Sequence, residues 1–315
     1  MLDSFNREVN YLRISITDLC NLRCIYCMPE KGVEKFSHSQ IISPERIKEI
    51  VIAASKLGIK KVRLTGGEPL SRRGLIDIIK YIREVKEIEE ICLTTNGVEL
   101  KNKAKELLEA GVDRLNISLD TLDERKYKFI TRGGNLNDVL EGLTEANKVG
   151  FKNTKINCVL IGDFNDDEIV NFKELSNKYK VVVRFIELMP IGVGVDLKDD
   201  SFISNEVVLK KLDDAIFDYS DGVSNYYKFK DSEARIGLIS PLSNKFCETC
   251  SRIRLTSDGK IKPCLHSKAE YDLNGLHDLE LLNKIKESIL AKPKEHYLCE
   301  EKKSRSIRGM NKIGG

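Results

Sequence analysis

Short β-rich segments alternate with helical segments through the first 190 residues, and this alternation limits the fold more than any other feature of the sequence. Six strands are predicted, with the ranges 11–17, 61–65, 91–95, 114–120, 154–161 and 181–189. Helices are predicted between them at 43–58, 74–86, 101–111, 136–149 and 166–178. Because a helix connects each strand to the next, the pattern indicates parallel strands with right-handed crossovers. A full barrel has eight such units, so six predict an α/β fold with an open, partial barrel.

The predicted strands alternate polar and apolar residues, whereas buried parallel strands are usually apolar on both faces. The apolar face of the first strand carries Leu12, Ile14 and Ile16. The polar faces of four strands carry Arg13, Ser15, Thr17, Arg63, Thr65, Asn116, Ser118, Asp120, Lys155 and Asn157. Since the apolar face should lie under the helices, the polar face should line a hollow lumen that suits an anionic ligand. A half-buried sheet with one hydrated face is the alternative interpretation.

The charge balance does not indicate a nucleic-acid or membrane partner. The chain has 52 Lys and Arg residues and 49 Asp and Glu residues, which gives a net charge of +3. The N-terminus has no apolar signal segment, and no apolar run reaches the length of a membrane span. We therefore expect a cytoplasmic protein. In that reducing compartment, nine cysteines favour metal or redox chemistry over disulfides.

Three cysteines, Cys20, Cys24 and Cys27, follow the first strand with the spacing C-x3-C-x2-C. A closed zinc site needs a fourth ligand, and the one near candidate, His38, lies at an atypical distance along the chain. A [4Fe–4S] cluster held by three thiolates instead leaves one iron open to a small molecule. The isolated Cys92 and Cys158 lie in apolar runs typical of buried, inert thiols, and Cys299 also stands alone.

A second group, Cys247, Cys250 and Cys264, has the spacing C-x2-C-x13-C. His266 could complete a zinc site here, so the residues alone leave zinc and iron–sulfur both open. The sequence TSDGK at 256–260 predicts a hairpin between these cysteines, and residues 191–201 are predicted to form a linker.

The first cysteine group, in the sequence CNLRCIYC, resembles the signature of the radical S-adenosylmethionine (SAM) enzymes, with Tyr26 as its aromatic residue. The sequence TGGEP at 65–69 resembles the glycine-rich element of that superfamily, which binds the methionine part of SAM. The resemblance implies a [4Fe–4S] cluster whose open iron chelates SAM, and reductive formation of a 5′-deoxyadenosyl radical.

Across nearly its whole length the chain resembles one family of this superfamily, the GTP 3′,8-cyclases (MoaA family) of molybdenum-cofactor biosynthesis. The resemblance rests on both cysteine groups, LTTNG at 93–97, RFIELMP at 184–190, SRIRLTSDGKIKPCL at 251–265 and the terminal Gly-Gly. It implies a radical SAM partial (β/α)6 barrel over 1–195. A small C-terminal α+β subdomain over 196–299 would carry a second [4Fe–4S] cluster that binds guanine. A basic tail over 300–315 would end in Gly-Gly.

The resemblance also implies roles for individual residues. The SAM contacts fall on Tyr26, Gly67, Ser118 and Met189. The GTP contacts fall on Arg13, Arg63, Thr94, Lys155, Arg252, Ile253 and Arg254. The catalytic residues fall on Arg252, Arg254, Gly314 and Gly315. Cys20, Cys24 and Cys27 would hold the first cluster, and Cys247, Cys250 and Cys264 the second.

The implied reaction converts GTP to 3′,8-cyclo-7,8-dihydro-GTP. The implied partners are a second copy of the chain in a homodimer, a reductant such as flavodoxin or ferredoxin, and a downstream cyclic pyranopterin monophosphate synthase. Two alternatives remain at this point. One is a radical SAM enzyme that modifies a peptide and uses an auxiliary cluster. The other is a zinc-stabilised binding or regulatory protein.

Overall fold

Six parallel strands with helices between them form the first part of the chain. The computed structural model describes residues 1–33 and 36–314, with only the backbone of His38. The strands are β1 (Tyr11–Ser15), β2 (Lys61–Thr65), β3 (Glu90–Thr95), β4 (Arg114–Ser118), β5 (Lys155–Leu160) and β6 (Val182–Glu187). Each pairs in parallel with the next. The predicted partial barrel is therefore confirmed.

Six helices cover the outside of these strands. They are α1 (Pro44–Lys56), α2 (Leu75–Arg83), α3 (Leu100–Ala110), α4 (Glu124–Ile130), α5 (Leu136–Val149) and α6 (Ile169–Tyr179). The Ser43 side chain caps α1 by accepting a hydrogen bond from the Arg46 amide at 3.1 Å. The sequence did not predict α4, because in this seven-residue helix only Tyr127 and Ile130 are buried and no amphipathic repeat can be recognised.

Residues after β6 extend the same sheet at both of its edges. They form α7 (Glu206–Lys211), β7 (Ile216–Ser220), β8 (Asn225–Phe229), β9 (Ser232–Ile239), β10 (Arg252–Leu255), β11 (Lys260–Lys262), β12 (Tyr271–Asp272), α8 (Asp278–Leu290), α9 (Leu298–Glu301) and α10 (Met310–Ile313). Strand β9 pairs in parallel with β6, and β10 pairs in parallel with β1. The described strands thus form one sheet in the order β12-β11-β10-β1-β2-β3-β4-β5-β6-β9-β8-β7.

The hairpin predicted at 256–260 connects β10 and β11, which pair antiparallel. The segment predicted as a linker, 191–201, contains two short 3-10 turns, Gly192–Asp196 and Asp199–Ser201. Ile191 and Gly194 in this segment are buried, so it packs against the body of the protein. In the described part of the chain, no helix has the length and apolar character that crossing a bilayer requires.

The hydrophobic core lies between the sheet and the helices. The apolar residues of β1, Leu12 and Ile14, are fully buried there, as is Ile16 just after the strand. The isolated Cys92 and Cys158 are also fully buried, as predicted. Because the apolar side chains occupy one face of each strand, the alternate, polar residues face the inside of the barrel.

Candidate functional site

The inside of the barrel is a cavity of about 650 Å³ lined by polar residues from all six parallel strands. The predicted hollow lumen is therefore confirmed. Both cysteine groups open onto this cavity, through Cys20, Cys24, Cys27, Cys247, Cys250 and Cys264. The residues predicted to contact SAM or GTP that line it are Tyr26, Gly67, Ser118, Met189, Arg13, Arg63, Thr94, Lys155, Arg252 and Arg254. Ile253 does not line it, because it lies between two inward-facing arginines on β10 and its side chain is fully buried in the core.

Three arginines lie side by side across neighbouring strands, because Arg13 on β1 is in register with Arg254 on β10 and with Arg63 on β2. Arg63 donates to the Tyr11 hydroxyl and, at 3.1 Å, to Thr94 Oγ1. Burial, with the neighbouring Arg252 guanidinium, lowers the pKa of Arg254 to about 10. An anion bound beside Arg254 would offset this repulsion and favour its charged form.

Two further arginines, Arg114 on β4 and Arg184 on β6, line the cavity and were missed from the sequence. Arg184 donates to Asn157 Oδ1 through Nε at 3.0 Å and through Nη2 at 2.6 Å. The same two-residue alternation could have identified both, because Arg114 precedes Asn116 by two positions and Arg184 is in register with Asn157.

Lys155 reaches the cavity from β5 and donates to the Tyr226 hydroxyl at 2.6 Å. Tyr226 on β8 in turn donates to Asp221 Oδ2 at 2.8 Å. Burial, together with the Arg184 and Arg114 guanidinium groups, lowers the pKa of Lys155 to about 7. Neither Tyr226 nor Asp221 was identified from the sequence, because both belong to the segment around β7 and β8, whose pairing with the barrel through β9 is non-local.

The first cysteine group lies in the loop after β1, which is packed tightly against the TGGEP turn. The amides of Gly67 and Glu68 donate to Thr17 O at 2.8 Å and Leu19 O at 2.7 Å. A Cβ atom on Gly67 would lie 2.2 Å from Leu19 O, so only glycine permits this approach. Glu68 is buried and accepts from the Leu70 amide, the Thr95 hydroxyl and the Asn96 amide at 2.9, 2.7 and 2.7 Å.

The three cysteines of this loop are free and half-buried, and desolvation of its thiol raises the pKa of Cys27 to about 12. A cationic iron–sulfur core would reverse that shift, and three cysteines that line one cavity could supply three thiolates to a cluster with one open iron. Tyr26, between these cysteines, donates to Asp120 Oδ2 at 2.7 Å. Burial raises the pKa of Asp120 to about 6.

The second cysteine group lies in a more electropositive environment. Lys292 is buried and donates to Cys250 Sγ at 3.4 Å, to Arg252 O at 2.9 Å and to Pro263 O at 3.1 Å. Burial of Cys250 opposes ionisation, but Arg252 and Lys292 outweigh it, and the pKa of this thiol falls to about 6. Lys292 was not identified from the sequence, where it is one lysine among many.

His266, the residue that left a zinc site open, also lines the cavity. Its Nδ1 lies 3.2 Å from Ser304 Oγ. Burial, followed by the neighbouring His296, lowers the pKa of His266 to about 3, so its imidazole is neutral at physiological pH.

The C-terminal tail returns to the cavity, where Met310 and Asn311 form part of its lining. The Gly314 carbonyl accepts a hydrogen bond from Arg254 Nη1. With φ at +74° and a Cβ position 1.9 Å from Thr65 Oγ1, residue 314 must be glycine. Gly315 lies outside the described residues.

Comparison with known protein families agrees with this site. Residues 14–176 match the family model described as Radical SAM superfamily, and residues 181–298 match Molybdenum Cofactor Synthesis C. The SuiB protein of Streptococcus suis bound to S-adenosylmethionine has a similar fold, with a TM-score of 0.61 over 88% of this chain and 68% of that chain at 16% identity. The fold and the first cysteine group thus define a radical SAM protein, with a [4Fe–4S] cluster and SAM as its cofactors.

Relatives of known activity narrow the assignment. The chain is 48% identical over 319 residues to the GTP 3′,8-cyclase of Clostridium botulinum (strain Okra / Type B1), and both chains are covered completely. It is 47% identical over 320 residues to the GTP 3′,8-cyclase of Alkaliphilus metalliredigens (strain QYMF), again with complete coverage. This chain belongs to the GTP 3′,8-cyclase family of the radical SAM superfamily, which excludes the zinc-stabilised binding or regulatory protein.

Proposed function

We propose that this chain converts GTP to 3′,8-cyclo-7,8-dihydro-GTP, the first step of molybdenum-cofactor biosynthesis. The observation that carries the proposal is a single cavity lined by both cysteine groups and by Arg or Lys side chains from β10, β1, β2, β4, β5 and β6. Such a cavity can hold a nucleoside triphosphate between two redox-active groups and keep water away from a radical.

The cofactors would supply a 5′-deoxyadenosyl radical that removes the hydrogen atom from C3′ of GTP. The C3′ carbon then forms a bond to C8 of guanine, and one electron and one proton complete the 7,8-dihydro ring. The chain contributes position: Tyr26, Gly67, Ser118 and Met189 would hold SAM. Bringing the two reactants into one geometry replaces a bimolecular encounter and accounts for a large share of the rate.

The triphosphate would bind to the cations of the lumen. Arg13, Arg63 and Arg254 are neighbours in register, and guanidinium groups match phosphate oxygens in pairs. Thr94, Lys155 and Arg252 add donors at the edges of this group. For Ile253 we propose a backbone contact, since its side chain belongs to the core.

Cys247, Cys250 and Cys264 would hold a second [4Fe–4S] cluster, with guanine at its open iron. Three free thiols that line one cavity and the lowered pKa of Cys250 support three thiolate ligands at this site. Arg252, Arg254, Gly314 and Gly315 would act in catalysis, and the hydrogen bond from Arg254 to Gly314 supports a joint role for them.

The remaining expectations follow from this activity. We keep a core over 1–195, a cluster-bearing subdomain over 196–299 and a tail over 300–315 as units of function. Reduction would come from flavodoxin or ferredoxin in the cytoplasm, the chain would form a homodimer, and its product would pass to a cyclic pyranopterin monophosphate synthase.

An anaerobic assay tests the proposal. Reconstituted protein with SAM and a reductant should form 5′-deoxyadenosine together with an isomer of GTP, detected by mass spectrometry, only when GTP is present. Slow formation of 5′-deoxyadenosine with GTP unchanged would overturn the substrate and favour a peptide-modifying radical SAM enzyme instead.

A further inference from the structure

Arg308, in the C-terminal tail, is held by two carboxylates at once. Its Nη1 and Nη2 donate to the two oxygens of Asp258 at 2.7 and 2.9 Å. Its Nε and Nη2 donate to the two oxygens of Glu270, both at 2.7 Å. The side chains of all three residues are between 11% and 15% exposed. This is the bidentate geometry in which Arg–carboxylate pairs are strongest, and here it occurs twice on one guanidinium.

The carboxylates are themselves fixed to the barrel. Asp258 lies in the turn between β10 and β11, directly after the strand that carries Arg252 and Arg254. Glu270 accepts at 3.1 Å from Lys262 Nζ, whose side chain is fully buried. Two cations and two anions thus form a neutral group that connects the tail to the strands of the active cavity.

The tail beyond this group is short and enters the cavity. From Arg308 it passes through the single turn of α10, where the backbone of Asn311 lies beside the Cys27 thiol. It then reaches Gly314, whose carbonyl meets Arg254. Only five residues separate Arg308 from Gly314, so the position of Arg308 limits where Gly314 can lie.

The neighbouring arginine of the tail has a different role. Arg305 pairs with Glu301 four residues earlier in the sequence, and their side chains are 45% and 34% exposed. That pair lies within the tail, and Arg305 also stacks on the nearby Tyr297 ring at 4.2 Å, whereas the Arg308 group crosses to a distant strand turn. Arg305 therefore provides a matched control of the same charge in the same tail.

We propose that Arg308, Asp258 and Glu270 form a clamp that positions the C-terminal tail in the active cavity, which makes Arg308 a positioning residue for the reaction. The link to turnover rests on the proposed function, but the placement of the tail does not. Loss of Arg308 removes the bidentate partner of the partly buried Asp258 and one of the two cations beside Glu270, and frees residues 309–314 to leave the cavity.

Hydrogen–deuterium exchange on the reconstituted protein tests the placement. Arg308→Gln should speed exchange of the amides at 310–314 at least tenfold, while Arg305→Gln should leave them as in the wild type. Arg308→Lys keeps the charge but loses the planar guanidinium that binds two carboxylates. Its exchange rate at 310–314 should lie between those of Arg308→Gln and Arg305→Gln. If Arg308→Gln fails to fold, Asp258→Asn and Glu270→Gln test the same clamp, because each removes a carboxylate that holds Arg308. Both should also speed exchange at 310–314.

Turnover of GTP in the same variants tests the role in the reaction. Arg308→Gln should lower kcat tenfold or more with unchanged iron content, and should change the KM for GTP by less than threefold. Unchanged exchange at 310–314 in Arg308→Gln would overturn the clamp, and an equal loss of kcat in Arg305→Gln would overturn the positioning role. If wild-type protein makes no GTP isomer, the proposed function fails, and the exchange experiment still decides the clamp.

Discussion

Binding of GTP should draw a proton onto Lys155. In the ligand-free protein, burial and the guanidinium groups of Arg184 and Arg114 lower the pKa of this lysine to about 7 from its ordinary 10.5. A triphosphate beside it would restore the ordinary value, because an adjacent anion favours the ammonium form. The ammonium is therefore largely absent above neutral pH until the ligand arrives.

The size of the effect follows from the two pKa values. The difference between about 7 and 10.5 corresponds to about 5 kcal/mol between the charged and neutral forms. We take the pKa of Lys155 as near 7 in the free protein and near 10 in the GTP complex. The number of protons taken up on binding should then rise from about 0.1 at pH 6 to about 0.9 at pH 8. The cations of the cavity lower the phosphate pKa values of bound GTP, so these protons go to the protein and not to the ligand.

Isothermal titration calorimetry without reductant measures this uptake, because the heat of binding then depends on the ionisation enthalpy of the buffer. Lys155→Met should bind GTP more weakly and show no buffer dependence at pH 8. A binding enthalpy for the wild type that is the same in all buffers at pH 8 would refute the reasoning. So would equal uptake in Lys155→Met, since another group would then be taking the proton.

Three further outcomes follow from the site. Without ligand at pH 7, Lys155→Met should raise the free energy of unfolding by about 2–4 kcal/mol, because the lowered pKa of the lysine makes the wild type less stable below its ordinary pKa of 10.5. Chemical denaturation at pH 7 and pH 10 should show that this gain falls to less than about 1 kcal/mol at the higher pH. Lys292→Met should lose about half of the bound iron while keeping the first cluster, since Lys292 holds Cys250 and two backbone carbonyls; iron analysis with electron paramagnetic resonance checks this. Arg254→Ala should reduce turnover by about 100-fold with full iron content, and loss of iron would make its role structural.

Two kinds of site residue could be predicted from the sequence. These are polar residues at alternate positions of a strand and cysteines at short, regular spacing. Arg13, Arg63 and Lys155 were identified because polar residues recurred at every second position, and a period of two defines a face of a strand. Arg114 and Arg184 obey the same rule and could have been found with it. The cysteines were found because three thiols at short spacing have few functions other than ligation.

Single residues that act through non-local contacts could not be predicted. Tyr226 and Asp221 reach Lys155 only because β9 pairs with β6 and brings β8 beside it. Lys292 and Arg308 belong to segments rich in lysine and arginine, where charge alone does not separate a buried donor from a solvated side chain. Their roles depend on which strands become neighbours, and that pairing has no local signal.

The pairing of β1 with β10 has a consequence for how the chain is made. Strand β1 leaves the ribosome early, but its partner β10 is synthesised only after residue 251. Until then the nascent barrel presents an open strand edge along Arg13 and its neighbours, and open edges invite pairing with other chains. Truncated products that end before β10 should therefore aggregate, whereas full-length chains bury this edge as translation finishes.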